Sequence, residues 1–219
     1  MARVGRRRSA GRAHESRLGV RGYERIAGVD EVGRGCLAGP VVAAAVILDP
    51  ERPIAGLRDS KQLPPDERVR LAHLVAGGAR ACALGIVEAD EIDRTDILRA
   101  TLAAMRQAVG ALRVRPDFVL VDALIIPGIG VPQKGVVRGD QISASIAAAS
   151  IVAKVYRDEM MRTFHTVYPA YRFDANKGYG TRAHLEALRR HGASPLHRAT
   201  FRGVPGPIGS PVLSPARSV

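Results

Sequence analysis

Residues Val41–Leu48 read VVAAAVIL, an apolar run with no polar interruption. Successive side chains on a strand point to opposite faces, so a strand with no polar position is covered on both sides. β-Branched residues favour strand over helix here. The chain must therefore pack layers on both faces of a sheet. Other segments supply them. Ile26–Asp30, Ala81–Glu88, Phe118–Asp122 and Gly135–Arg138 read as further strands. Pro65 opens a helix to about Ala76, stopped by Gly77-Gly78. Ile92, Leu98, Leu102, Met105, Val109 and Leu112 approximate a helical stripe. A long helix is predicted over about Ile142–Phe164, and a shorter one over Arg182–His191. The order implies an α/β fold with a mixed sheet, followed by a helical segment.

The 219 residues suit one domain with tails. Residues 1–22 are Arg/Gly/Ser-rich and aperiodic and read as a disordered basic tail; 23–203 form the domain; 204–219 are Pro/Gly/Ser-rich and read as a second tail. With 4% aromatics and no Trp, the core must come from Val, Ile, Leu and Ala. The net charge of +12 favours a polyanionic partner. Half of that excess lies in residues 1–22, where Arg3, Arg6, Arg7, Arg8, Arg12, Arg17 and Arg21 oppose only Glu15 (7 − 1 = +6). Cys36 and Cys82 fit no zinc spacing and read as reduced, buried side chains. No apolar run approaches the ~20 residues of a membrane span. A cytoplasmic monomer is the expectation.

Acidic residues gather at strand ends. Asp30 and Glu31 end the first strand, Asp122 ends the fourth, and Asp140 precedes the long helix. Ligand sites in α/β sheets commonly lie outside strand ends. Unpaired carboxylates brought together repel one another and raise their pKa values unless a cation is present. Oxygen-only donors suit Mg²⁺ or Mn²⁺, and two such ions about 4 Å apart can clamp the attacking and leaving oxygens of a phosphodiester. Simpler readings remain open: Asp140 as a helix N-cap, Asp122 as a turn former. If both Asp30 and Glu31 serve one site, Glu31 must lie in the turn, because neighbouring strand residues face apart. The acids Glu88, Asp90, Glu91, Asp93 and Asp96 read as a helix N-terminal group favoured by the dipole.

Gly33-Arg34-Gly35 is not a nucleotide loop. Arg34 and Gly35 stand where a phosphate loop needs Lys and Ser/Thr, and a strand rather than a helix follows. Glycines instead let a backbone approach a nucleic-acid strand, where its polar groups can bond phosphate or the 2′-hydroxyl that marks RNA.

GVDEVGRGCLAGPVVAAAVIL, DSKQL, EIDRTDILRATLAAM, VLVDAL, GDQISASIAAASIVAKVYRDEMM, NKGYGTRAHLEAL and SPLHRATF together resemble the ribonuclease HII family, over about Ile26–Phe201. The resemblance implies a ribonuclease H-like fold, a central five-stranded mixed sheet flanked by helices with a C-terminal helical lobe. It implies hydrolysis of RNA in RNA/DNA hybrids, and incision beside single ribonucleotides in duplex DNA, leaving 3′-hydroxyl and 5′-phosphate ends. Asp30, Glu31, Asp122 and Asp140 would be catalytic and hold two ions, Mn²⁺ or Mg²⁺, with Asp30 shared between them. Gly33, Arg34 and Gly35 would read the 2′-hydroxyl, and Tyr179 would stack on the sugar. A Tyr between glycines is also compatible with a place in the lobe core. Lys61 and Lys154 would contact phosphate, though each could be a solvated charge. His197 and Arg198 would touch substrate or anchor the lobe. Ser143, Ser145 and Ser150, with the alanines between them, suit close packing.

The chain departs from the family's pattern at Arg138, Gln141-Ile142, Asp96 and Thr200, none of them among the four carboxylates or the GRG turn. A basic nucleic-acid-binding protein would explain the charge but leave the strand-end acids without purpose. A type 1-like or type 3-like ribonuclease H would process longer hybrids and lack the GRG–tyrosine pairing.

Overall fold

The computed structural model describes residues 9–205. The first eight residues and nearly all of the expected C-terminal tail lie outside them. The elements are α1 (Ala13–Val20), β1 (Ile26–Val32), β2 (Val41–Ile47), α2 (Pro65–Gly78), β3 (Ala81–Val87), α3 (Ala89–Arg94), α4 (Ile97–Gly110), β4 (Phe118–Asp122), β5 (Gln133–Val136), α5 (Gly139–Ile142), α6 (Ala144–Val167), α7 (Phe173–Asn176) and α8 (Arg182–His191). The sheet runs β3-β2-β1-β4-β5. β1 pairs antiparallel with β2 and parallel with β4; β2–β3 is antiparallel and β4–β5 parallel. The α/β architecture and the five-stranded mixed sheet expected from the sequence are both present.

β2 is buried at every position, as its apolar run requires. Val41, Ala43, Ala45 and Ile47 face α4; Val42, Ala44 and Val46 face α2 and α6. The helical stripe expected from Ile92 is broken at Thr95-Asp96. Asp96 accepts from the Arg99 amide at 2.8 Å and caps α4, so the stripe is carried by two helices. The long helix is present as α6, starting two residues later than expected and running three further. Ser143 is extended and caps α6, leaving α5 as a separate turn.

The N-terminal segment corrects an expectation. Residues 13–20 form α1, and Leu18 is buried with Phe118, Leu120, Val136 and Ile146. One buried leucine among arginines and glycines gives no periodicity, so the helix escaped a pattern search. The lobe gathers Leu37, Met161, Tyr171, Phe173, Leu188 and Val204 into a small core of its own. Among the described residues no helix is long and apolar enough to cross a membrane.

Close approach explains the small residues of α6. A Cβ on Gly28 of β1 would stand 2.1 Å from the Ser145 carbonyl carbon, so the strand and helix backbones touch. Gly85 of β3 is pressed likewise, 2.0 Å from the Ala104 oxygen of α4. Backbone atoms on both sides cannot move aside cheaply. Gly28→Ala should therefore destabilise by about 3 kcal/mol, or roughly 6–12 °C in Tm for a domain of this size. Gly110→Ala, where nothing lies within 4 Å, should leave Tm unchanged or slightly raised. Thermal unfolding of the two variants checks the contrast.

Candidate active site

The parallel register sets Val29 beside Val121, so the next residues, Asp30 and Asp122, end neighbouring strands side by side. Asp30 is buried; its Oδ1 accepts from the Glu31 amide at 2.7 Å, and Ser150 of α6, whose hydroxyl donates to Ser60 Oγ at 2.9 Å, lies beside it. Asp122 Oδ1 accepts from the Gly139 amide at 2.7 Å. A side chain at 139 would crowd that oxygen and Ile146, so the glycine lets α5 dock on the strand end. Asp140, the second residue of α5, is thereby brought to the acids. It is not an N-cap, because Arg138 precedes α5 in the left-handed region and Ser143 caps α6. Glu31 lies inside β1, paired with Ala43, rather than in the turn. Its longer side chain still reaches the electric field of Asp30 and Asp122.

Burial and mutual repulsion act together. Burial, then Glu31 and Asp122, push Asp30 well above the ordinary carboxylate range. Burial raises Glu31, with Arg34 opposing through an ion pair at 3.4 Å. Asp140 rises to about 6 through burial, then Asp59 and Asp122, with Lys61 opposing. Asp59 was not singled out from the sequence. It is buried, accepts from the Lys61 amide at 2.9 Å, and adds another acid beside Asp140. Its place in DSKQL, ahead of a lysine, was the available signal.

Hard, oxygen-only donors raised by burial and by one another, as Asp30 and Asp140 are, suit a divalent cation. Among the described residues no three acids, thiols or imidazoles already enclose a metal position.

The GRG turn divides into two parts. Gly33 is buried at φ +100°, and a Cβ there would meet Arg157 Nε at 2.3 Å and the Pro40 oxygen at 2.7 Å. It shapes the turn rather than facing a ligand. Arg34 and Gly35 are exposed, and nothing lies within 4 Å of a Cβ built on Gly35. Two fully buried guanidiniums hold the turn from behind. Arg157 donates to the carbonyls of Ala38, Pro40 and Lys177 at 2.8–3.0 Å. Arg198 donates to those of Gly33, Arg34 and Gly39 at 2.7–3.1 Å, and lies 4.9 Å over the Phe201 ring. Burial lowers Arg198 to about 10, which leaves it charged at neutral pH. Arg198 and His197 are thus anchors and not substrate contacts, a correction to one of the two roles open for them. Arg157 escaped notice in the sequence, although the spacing Ser150–Lys154–Arg157–Met161 places it on the inward stripe of α6.

Tyr179 is 41% exposed and stands beside this turn. The Leu37 amide donates to the Gly178 oxygen at 2.8 Å, docking one loop on the other. Gly178, at φ +84°, would clash with the Ala38 oxygen if it carried a Cβ. The Tyr179 carbonyl is fixed by two buried imidazoles. Ser194 N–H donates to His197 Nδ1 at 2.9 Å, so His197 carries its proton on Nε2. That proton is donated to His184 Nε2 at 3.0 Å, so His184 carries its own on Nδ1 and donates to Tyr179 O at 2.8 Å.

The lysines differ. Lys61 is exposed and near Asp140. Lys154 is paired with Asp158 at 2.6 Å and largely buried, so it is engaged inside the protein. Of the acids read as a helix N-terminal group, Asp93 binds the amides of Ala199 and Thr200 at 2.7 and 3.0 Å and ties the C-terminal loop to α3. Cys36 and Cys82 are free thiols.

Two opposing pH slopes follow. Burial depresses both imidazoles, His197 to about 4 with His184 adding to the effect, while the backbone bonds at Tyr179 and Ser194 oppose the shift. The unfolded chain binds these protons first, so stability falls as pH drops from about 6.5 to 4. The difference is on the order of 3 kcal/mol for His197. His197→Asn should flatten that slope in urea titrations at pH 7, 5.5 and 4.5. Asp30 works oppositely. Its raised pKa means that the metal-free protein loses stability as pH rises through that range. With EDTA present, Asp30→Asn should raise Tm by several degrees at pH 8 and by almost nothing at pH 4.

Comparison with known proteins agrees with this geometry. The family model described as Ribonuclease HII matches residues 27–204. A ribonuclease HII of Desulfitobacterium hafniense is 53% identical over 190 residues, covering 87% of this chain and 73% of that protein. One of Moorella thermoacetica is 54% identical over 190 residues, covering 87% and 92%. The crystal structure of ribonuclease H2 from Pyrococcus horikoshii superposes with a TM-score of 0.69 at 26% identity, over 82% of this chain and 95% of that one.

Proposed function

The chain belongs to the ribonuclease HII family and is an endoribonuclease acting on the RNA strand of RNA/DNA hybrids, and we propose that it also incises 5′ of single ribonucleotides embedded in duplex DNA by two-metal hydrolysis. The observation that carries this reading is the gathering of Asp30, Glu31, Asp122 and Asp140 at one end of the sheet, with Asp30, Glu31 and Asp140 raised by burial and by neighbouring acids. A merely structural cluster of this kind would be selected against, since each buried unpaired acid destabilises the fold.

In this reading Asp30, Glu31, Asp122 and Asp140 hold two divalent cations, Mn²⁺ or Mg²⁺, with Asp30 shared. When bound, the ions supply a water of lowered pKa and a counter-charge for the leaving 3′ oxygen. The chain's own residues do the rest. Lys61, exposed beside Asp140, offers a charge to the phosphate. The exposed backbone of Arg34-Gly35 lies where a strand can approach it and bond the 2′-hydroxyl. Tyr179, half-exposed beside that turn, offers a ring face to the next sugar. The turn and the tyrosine are fastened to one another and held from behind, which favours reading one ribose at a fixed junction over tracking a long hybrid. The products carry 3′-hydroxyl and 5′-phosphate ends.

The test uses duplex DNA with one embedded ribonucleotide, Mn²⁺ or Mg²⁺, and the wild type beside Asp30→Asn. Incision 5′ of the ribonucleotide is expected, lost with EDTA and reduced about a thousandfold or more in the variant. Folded wild type that binds this duplex and cuts it under neither metal would refute the reading.

A further inference from the structure

The family match begins at residue 27, yet the segment before it has a definite place. Ala10 N–H donates to the Leu57 oxygen at 2.7 Å, and the next residue, Gly11, accepts from the Ala144 amide at 3.0 Å. Leu57 lies just before Asp59 and Lys61, and Ala144 just after α5 with Asp140. Two consecutive backbone groups thus bridge the two segments that meet at Asp140, since Asp59 and Lys61 both act on that carboxylate. One helical turn on, Glu15 Oε1 accepts from Ser143 Oγ at 2.6 Å, Ser145 Oγ at 2.7 Å and Ser145 N at 3.0 Å. Ser143 N in turn donates to the Gly139 oxygen at 2.8 Å, closing the turn that carries Asp140. A carboxylate at the N-terminus of the 24-residue α6 is also favoured by the helix dipole. Its other oxygen, Oε2, is buried without a partner, an arrangement that destabilises unless the bonds to Oε1 offset it.

We propose that residues 10–15 are a clamp and Glu15 a positioning residue: they fix the Asp59–Lys61 segment against Asp140 and so set metal affinity and turnover. Glu15 touches no reacting atom; it acts through Ser143, Ser145 and α5. The inference rests on the proposed metal site, and its test separates the two.

Full-length Glu15→Ala, Glu15→Gln and Ser145→Ala are compared with wild type. The readouts are thermal unfolding, Mn²⁺ binding by calorimetry, and kcat and KM on the duplex with one ribonucleotide. Support beneath a metal site is worth about 10–100-fold in affinity or activity. Glu15→Ala should weaken Mn²⁺ binding and lower kcat by about tenfold each, with KM changed by less than about threefold. Glu15→Gln, which keeps the accepting oxygen, should recover to within about threefold of wild type. If Glu15→Ala only lowers Tm while Mn²⁺ affinity and kcat stay put, the segment is a structural strap and the proposal falls. Should Glu15→Ala fail to fold, Ser145→Ala decides: wild-type metal affinity and kcat there overturn the clamp. A wild type that binds Mn²⁺ but does not cut sinks the cleavage reading alone, and the Mn²⁺ comparison still judges the clamp.

Discussion

Everything near the acids depends on how closely α6 lies on β1. At Gly28 the two backbones are in contact with no room for a side chain. From that crossing α6 runs along the strand toward the GRG turn. Ser150 reaches Asp30 on the way, and two turns further Arg157 reaches the carbonyls of Ala38, Pro40 and Lys177. A helix displaced by one ångström would lose these bonds together. Ala147, Ala148 and Ala149 in its buried face are therefore a condition of the site as much as of the core. They give up side-chain volume for proximity of backbone.

Charge is arranged along the same line. At one end acids crowd without enough cations to balance them, and burial raises their pKa values. At the other, two guanidiniums are buried on carbonyl oxygens, with Asp93 the acid acting on Arg198. The two ends do different work. Carbonyl dipoles satisfy an Arg without neutralising it, so the backbone that an incoming strand meets is rigid and lies over positive charge. At the acid end, burial and mutual repulsion are only partly offset, by Arg34 and Lys61. Stability lost there is offset by the fully buried β2 and its packing against α2, α4 and α6.

The legible part of this in the sequence was whatever repeats or stands at a strand end. The uninterrupted apolar run exposed β2, and Asp30 and Asp122 were visible because each closes a short apolar strand. The illegible part consists of single residues whose partners are far along the chain. Leu18 and Glu15 look like members of an Arg-rich tail, since one apolar and one acidic residue make no period. Their partners, Phe118 and Ser145, are 100 and 130 residues away. Arg157 escaped notice because nothing local says that Pro40 and Lys177 converge on it. Strand alternation placed Glu31 in the turn if it was to share a site with Asp30, which is sound for a short side chain at mid-strand. At the strand end its extra methylene lets it share the field of Asp122 from the other face.

The same contrast bears on specificity. Arg34 and Gly35 are exposed, while Gly33 is buried and bonded through its carbonyl to Arg198. Only the outer half of the turn can meet a sugar, and the inner half sets its angle. Tyr179 is likewise free at its ring and fixed at its carbonyl, through a chain of two imidazoles whose proton positions are dictated by Ser194 N–H. A proton added to His184 places two donors face to face at 3.0 Å, and one added to His197 sets its Nδ1 against the Ser194 N–H at 2.9 Å; either breaks the chain. The depressed pKa of His197, about 4, keeps that event away from neutral pH. Burial of the pair therefore does more than fill the lobe. It keeps one donor aimed at the tyrosine's backbone at neutral pH.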